Sequence, residues 1–118
     1  MTTREAIEGY FGALKERKGW ESFLADDMRF TSFTSPNKRV IDGKAAFLES
    51  TKRFYAMITA LEVRDLLVDG AKACALTRYE LRPPQGHAFA SDVAEVFGVR
   101  DGKITSFDIY FDTAPYPK

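Results

Sequence analysis

A chain of 118 residues builds one domain, spanning 1–118, with room for one sizeable core. Seventeen Lys and Arg balance seventeen Asp and Glu, so no basic excess exists to draw the chain to nucleic acid or an anionic membrane. Cys74 is alone, which excludes an internal disulfide framework and suits a reducing cytoplasm; no apolar run approaches the ~20 residues that span a bilayer, and charges stand where a leader would be apolar.

Thr2 or Thr3 is the expected N-cap of a first helix, in which Ala6, Ile7, Tyr10, Phe11 and Leu14 recur at helical spacing. Gly9 and Gly12 weaken it and suggest close approach by another element, and Lys18-Gly19 ends it. Trp20, Phe23 and Leu24 give a short second helix of about two turns, which Asp26-Asp27 interrupts. Met28, Phe30 and Ser32 then alternate with Arg29, Thr31 and Phe33, which predicts a first strand over 28–34.

Residues 35–42 read as a loop, with Asp42 as N-cap of a third helix whose stripe is Ala46, Phe47, Thr51, Phe54, Tyr55 and Ile58. The period then changes to two. Residues 60–69, 72–82, 87–100 and 103–112 read as strands joined by Asp69-Gly70, Pro83-Pro84-Gln85-Gly86 and Arg100-Asp101-Gly102, all turn chemistry. The order predicts an α+β cone: helices packed on a strongly bent antiparallel sheet with one open end.

One row of the 89–99 segment is Phe89, Ser91, Val93, Glu95, Phe97 and Val99, apolar except for a serine and one carboxylate. An acid on a buried face costs free energy unless it is protonated, paired or hydrogen-bonded. Arg78 on the preceding strand is a natural ionic partner, Tyr10 a natural donor, and a bulge would turn Asp92 inward in place of Glu95. Ten Phe, five Tyr and one Trp supply walls for a core or cavity. The expected lining is Trp20, Phe30, Phe54 and Tyr55 from the first half, with Phe97, Phe107, Ile109 and Phe111 from the last two strands. Such walls suit a flat apolar small molecule. Cys74 reads as a small buried apolar residue and the lone His87 as an exposed strand end. No metal site and no phosphate or dinucleotide loop is expected, hence no cofactor.

Several segments together resemble the nuclear transport factor 2-like superfamily, in particular its SnoaL-like branch. They are Tyr10-Phe11-Gly12-Ala13-Leu14, Trp20 through Leu24, Ala25-Asp26-Asp27-Met28-Arg29-Phe30, Asp42-Gly43-Lys44-Ala45-Ala46-Phe47, and Asp101-Gly102-Lys103-Ile104 leading to Tyr110-Phe111-Asp112. The resemblance covers nearly the whole chain and implies the cone fold. Its enzymes include isomerases and cyclases, and fold alone does not choose among them. Ketosteroid isomerase, a relative, uses a first-strand Asp base and an oxyanion hole of a first-helix Tyr with a protonated acid on the penultimate strand. Carried over, Tyr10 and Glu95 fall on the oxyanion pair, while the base position falls on Ser32, which is no base unaided. SnoaL-like cyclases place an acid/base Asp on the last strand, where Asp108 or Asp112 would answer, and a mid-strand His that His87 is too early to supply.

The resemblance thus implies a pocket for an apolar, polyketide- or steroid-like molecule, with proton transfer next to a carbonyl by Tyr10 and Glu95 and Ser32 as a polar helper. The alternatives are a non-catalytic ligand-binding module and a pocketless dimeric interaction module. Relatives commonly pair back to back through the sheet. A homodimer is therefore expected through the outer face carrying Arg64, Glu80, Arg82, Asp108 and Tyr110.

Overall fold

The computed structural model describes residues 1–34 and 38–116. The part of the expected 35–42 loop over 35–37 lies outside the described residues. Helix α1 (Thr3–Glu16) starts at a capping box: the Thr2 hydroxyl accepts from the Glu5 amide and the Glu5 carboxylate accepts from the Thr2 amide. Its buried stripe is the expected one, Ala6, Ile7, Tyr10, Phe11 and Leu14. It ends slightly early, with Arg17 itself in the left-handed region at φ 59°. Gly9 is where another element comes close, since a Cβ there would lie 2.6 Å from the Phe23 ring; at Gly12 the space is open, contrary to expectation.

The second helix is shorter than expected, a single 3-10 turn over Trp20–Phe23, because Leu24 is already extended. Strand β1 accordingly runs Leu24–Ser32. Asp26-Asp27 does not break the chain but sits exposed where the pairing register slips between Leu24 and Arg29. Residues 39–42, expected as loop, form strand β2 (Arg39–Asp42), paired antiparallel to β1. Asp42 is consequently not an N-cap. Gly43 takes that place at φ 93°, and the Asp42 carboxylate accepts from Arg29 Nε at 2.6 Å.

Helix α2 (Lys44–Met57) packs over the sheet through Phe47, Thr51, Phe54 and Tyr55, while Ala46 is exposed. Strands β3 (Ile58–Asp69), β4 (Lys72–Leu81), β5 (Phe89–Arg100) and β6 (Lys103–Phe111) form the expected antiparallel meander. The β5–β6 hairpin turns on Asp101 and Gly102, both at positive φ, the backbone that an Asp-Gly pair supplies for a two-residue turn.

The sheet order is β2-β1-β6-β5-β4-β3. It is not wholly antiparallel, because β1 runs parallel to β6. One face carries the helices and the core. There Phe97 and Phe107 lie 4.6 Å apart, Phe107 meets Phe30 at 5.4 Å, and Tyr10 meets Phe97 at 5.9 Å, mostly edge to face. The other face is open. No helix among the described residues is long and apolar enough to cross a membrane.

Candidate functional site

The period-two row of β5 holds its predicted direction: Ser91, Val93, Glu95 and Phe97 are buried and Asp92 is exposed. Asp92 is on the outer face, within 3.3 Å of Arg78 and 3.9 Å of Arg64. Arg78 is therefore not the partner of Glu95, and no bulge re-aims Asp92 inward. Directly across from Glu95 stands Ala75, which leaves space and offers no side-chain donor. The donors come from further along β4. Thr77 Oγ1 donates to Glu95 Oε2 at 2.8 Å and the Tyr79 hydroxyl donates to Oε1 at 2.7 Å.

Glu95 is 3% exposed. Burial raises its pKa to about 7, against the two hydroxyl donors, which pull it down. Each donor uses one lone pair, so each carboxylate oxygen keeps acceptor capacity toward the cavity. That cavity encloses about 200 Å³ between α2 and the sheet, and Glu95, Tyr79 and Ser32 line it with an aromatic wall.

Of the expected lining, Phe30, Phe54, Tyr55, Phe107, Ile109 and Phe111 reach the cavity. Trp20 and Phe97 stand behind it: Trp20 stacks on Tyr55 at 4.3 Å and Phe97 is fully buried in the core. Tyr10 is fully buried too, and its hydroxyl shares a 2.8 Å hydrogen bond with that of Tyr55, not with Glu95. Tyr10 thus meets the cavity through Tyr55. Burial pushes both phenols above their ordinary range, as it does Tyr79, and the Glu95 charge adds to the rise in each. Ser32 is buried at the end of β1 and faces the cavity.

Asp108 belongs to the outer row of β6, between Val96 and Thr31. Asp112 lies past the strand and accepts from the Ala114 amide. Neither reaches the cavity. His87 is exposed, before β5 begins. Cys74 is half-buried on the outer face, not in the core, because it alternates with buried Ala73 and Ala75. Among the described residues no group of His, Cys, Asp and Glu could hold a metal ion.

Tyr116 and Arg39 are among the cavity residues with no counterpart among the expected ones. Tyr116 folds back over the sheet, packs 5.0 Å from Phe89 and 5.2 Å from Phe111, and donates to Ser91 Oγ at 2.8 Å. Arg39 lines the cavity from the start of β2. Tyr116 sits between two prolines and Arg39 in a stretch with no clear period, so neither carried a sequence signal.

Solved structures share this architecture. A nuclear transport factor 2-like protein from Burkholderia thailandensis is similar at TM-score 0.83 and 18% identity, covering 98% of this chain and 94% of its own. A candidate SnoaL-like polyketide cyclase from Mesorhizobium loti is similar at TM-score 0.77 and 22% identity, covering 93% and 99%. A candidate isomerase from Bacillus subtilis follows at TM-score 0.78 and 18% identity, covering 93% and 86%. At such identities the likeness is one of fold. No curated protein matches the chain. The family model for the SnoaL-like domain matches residues 6–107, from the start of the α1 stripe to the Phe107 wall of the cavity, and the chain belongs to that family.

Proposed function

We propose that this protein binds a small, largely apolar carbonyl compound in the aromatic cavity and moves a proton next to its carbonyl, with Glu95 as the acid/base group. The observation that carries this is a buried carboxylate in an apolar cavity, with hydroxyl donors from Thr77 and Tyr79 and no cation on it among the described residues. A group titrating at about 7 populates both its acceptor and donor forms at neutral pH, which general acid–base catalysis needs. When Tyr10 donates to Tyr55, the Tyr55 proton is left to donate to a carbonyl oxygen, so Tyr10 and Tyr55 together serve the developing enolate. Ser32 is the polar helper at the far wall. The relatives named as polyketide cyclase and isomerase candidates make this class of chemistry the natural one to test.

The volume sets the ligand size. A cavity of about 150 Å³ takes benzene, so about 200 Å³ accepts one or two rings. A steroid exceeds it unless the Tyr116 segment swings away. The test is deuterium incorporation from D2O into 2-indanone, followed by NMR. Wild type is expected to exceed Glu95→Gln by at least ~100-fold. Binding of 2-indanone without Glu95-dependent exchange overturns the enzyme reading in favour of a non-catalytic binding module, which the serine at position 32 also favours.

For the assembly, we propose a homodimer through the outer sheet face. Leu76, Ala94 and Tyr110 are neighbours across three strands, Phe33 stacks on Tyr110 at 5.0 Å, and Leu67 pairs with Cys74 beside them. Leu67, Leu76, Tyr110 and Phe33 are all exposed, a contiguous apolar patch of the kind that marks an interface.

A further inference from the structure

One row of residues crosses the floor of the cavity. Arg39 on β2 pairs with Ser32 on β1, Ser32 with Ile109 on β6, and Ile109 with Glu95 on β5. All four line the same cavity. Arg39 is exposed, but it shares the alternation of Ile41, which is buried two residues on, and lines the cavity at its mouth. The row therefore reads cation, hydroxyl, aliphatic, acid. With strands ~4.8 Å apart, its ends are separated by at most roughly 14 Å between Cα atoms, less where the sheet bends.

Arg39 is the arginine that lines this cavity, and among the described residues no acid pairs with it. Arg29 pairs with Asp42, Arg64 and Arg78 with Asp92, and Arg100 with Asp27. A guanidinium presents a planar fork of N–H donors that matches a carboxylate two-pronged. Held at the edge of an apolar cavity, it gives that cavity a polarity from end to end. Aromatic walls over Ile109 suit a ring, and the opposite end offers Glu95 and the Tyr55 hydroxyl for an oxygen function.

We propose that the ligand is an anion: a one- or two-ring carbonyl compound whose carboxylate is held by Arg39 at the cavity edge while its carbonyl end lies at Glu95. This rests on the cavity being the ligand site, and it narrows the substrate class from apolar ketones to keto acids. Arg39 then sets orientation as well as selection, because a ligand pinned at one end presents one particular carbon to Glu95.

The probes are 4-acetylbenzoate and its methyl ester, titrated by NMR at pH 6, where Glu95 is mostly uncharged and does not repel the acid. In wild type the acid is expected to bind about fivefold tighter than the ester, and the preference to shrink at high salt. Arg39→Gln should bring the ratio to about one, Arg39→Lys should restore part of it, and Arg29→Gln, on the outer face of the same sheet edge, should keep it. A ratio within one protein does not depend on modest losses of stability. Equal binding of acid and ester to wild type, or an acid preference that survives Arg39→Gln, overturns the anion assignment and leaves the cavity reading standing. Failure of both probes to bind folded wild type overturns both.

Discussion

The buried Glu95 makes a contribution to the stability of the fold that falls as pH rises. In the unfolded chain its carboxyl titrates at 4.5; in the fold burial raises this to about 7. Between those values the native state holds a proton that the unfolded state has released, so this contribution drops with pH across that window. Below 4.5 both states are protonated and the group exacts nothing. Above 7 both are ionised and the full difference is felt. A separation of about 2.5 pH units at ~1.4 kcal/mol each gives roughly 3.5 kcal/mol once both states are fully ionised, and about 3 kcal/mol of it is reached at pH 8. Glu95→Gln keeps the shape and the two hydroxyl partners but removes the titration. The variant should match wild type near pH 4.5 and exceed it by about 3 kcal/mol at pH 8, on the order of 10 °C in melting temperature for a chain of this size. Urea unfolding of both proteins from pH 4.5 to 8 reads this as a difference in which all other groups cancel. A difference that stays flat with pH, or an NMR titration midpoint for Glu95 near 4.5, refutes the reasoning.

Tyr79→Phe removes the shorter hydrogen bond to the Glu95 carboxylate, so the Glu95 midpoint should move further up, read by 13C NMR, and the pH profile of 2-indanone exchange should move with it. Gly9→Ala should destabilise by about 1–3 kcal/mol because its methyl meets the Phe23 ring, whereas Gly12→Ala, in open space, should stabilise by about 0.5–1 kcal/mol; thermal melts of the two separate packing from helix propensity. Leu76→Lys together with Leu67→Lys should convert the proposed dimer to monomer in sedimentation velocity without changing the fold by circular dichroism, and a wild-type monomer at micromolar concentration sinks the interface. Tyr116→Ala loses the bond to Ser91 and two ring contacts, so 2-indanone should bind and leave faster in NMR line-shape analysis; unchanged rates would exclude the tail as a cover over the cavity.

The elements legible in the sequence are those whose partners are implied by their own pattern. The α1 stripe from Ala6 to Leu14 repeats at 3.6 residues, and the Ser91–Phe97 row repeats at two, so each announces which side is buried before anything is known of what covers it. Much of what failed was decided by a distant strand. β2 is four residues long with adjacent Val40 and Ile41, too short for a period to register, and only its pairing with β1 fixes Ile41 inside and Val40 outside. The parallel pairing of β1 with β6 joins segments some 80 residues apart and has no local signature. The Glu95 environment divides along the same line. Its burial follows from its own row, but its partners depend on the β4 register, which sets Ala75 opposite and leaves Thr77 and Tyr79 to reach it along the row. Arg39 is the extreme case. From the sequence it is one more surface cation beside a loop, and three successive strand pairings are needed before it stands in line with Glu95. What sets it apart from the other surface arginines is that this long-range pairing puts it at the edge of the cavity that holds Glu95. The role we propose for it is selection among ligands, and the acid-to-ester ratio measures that directly.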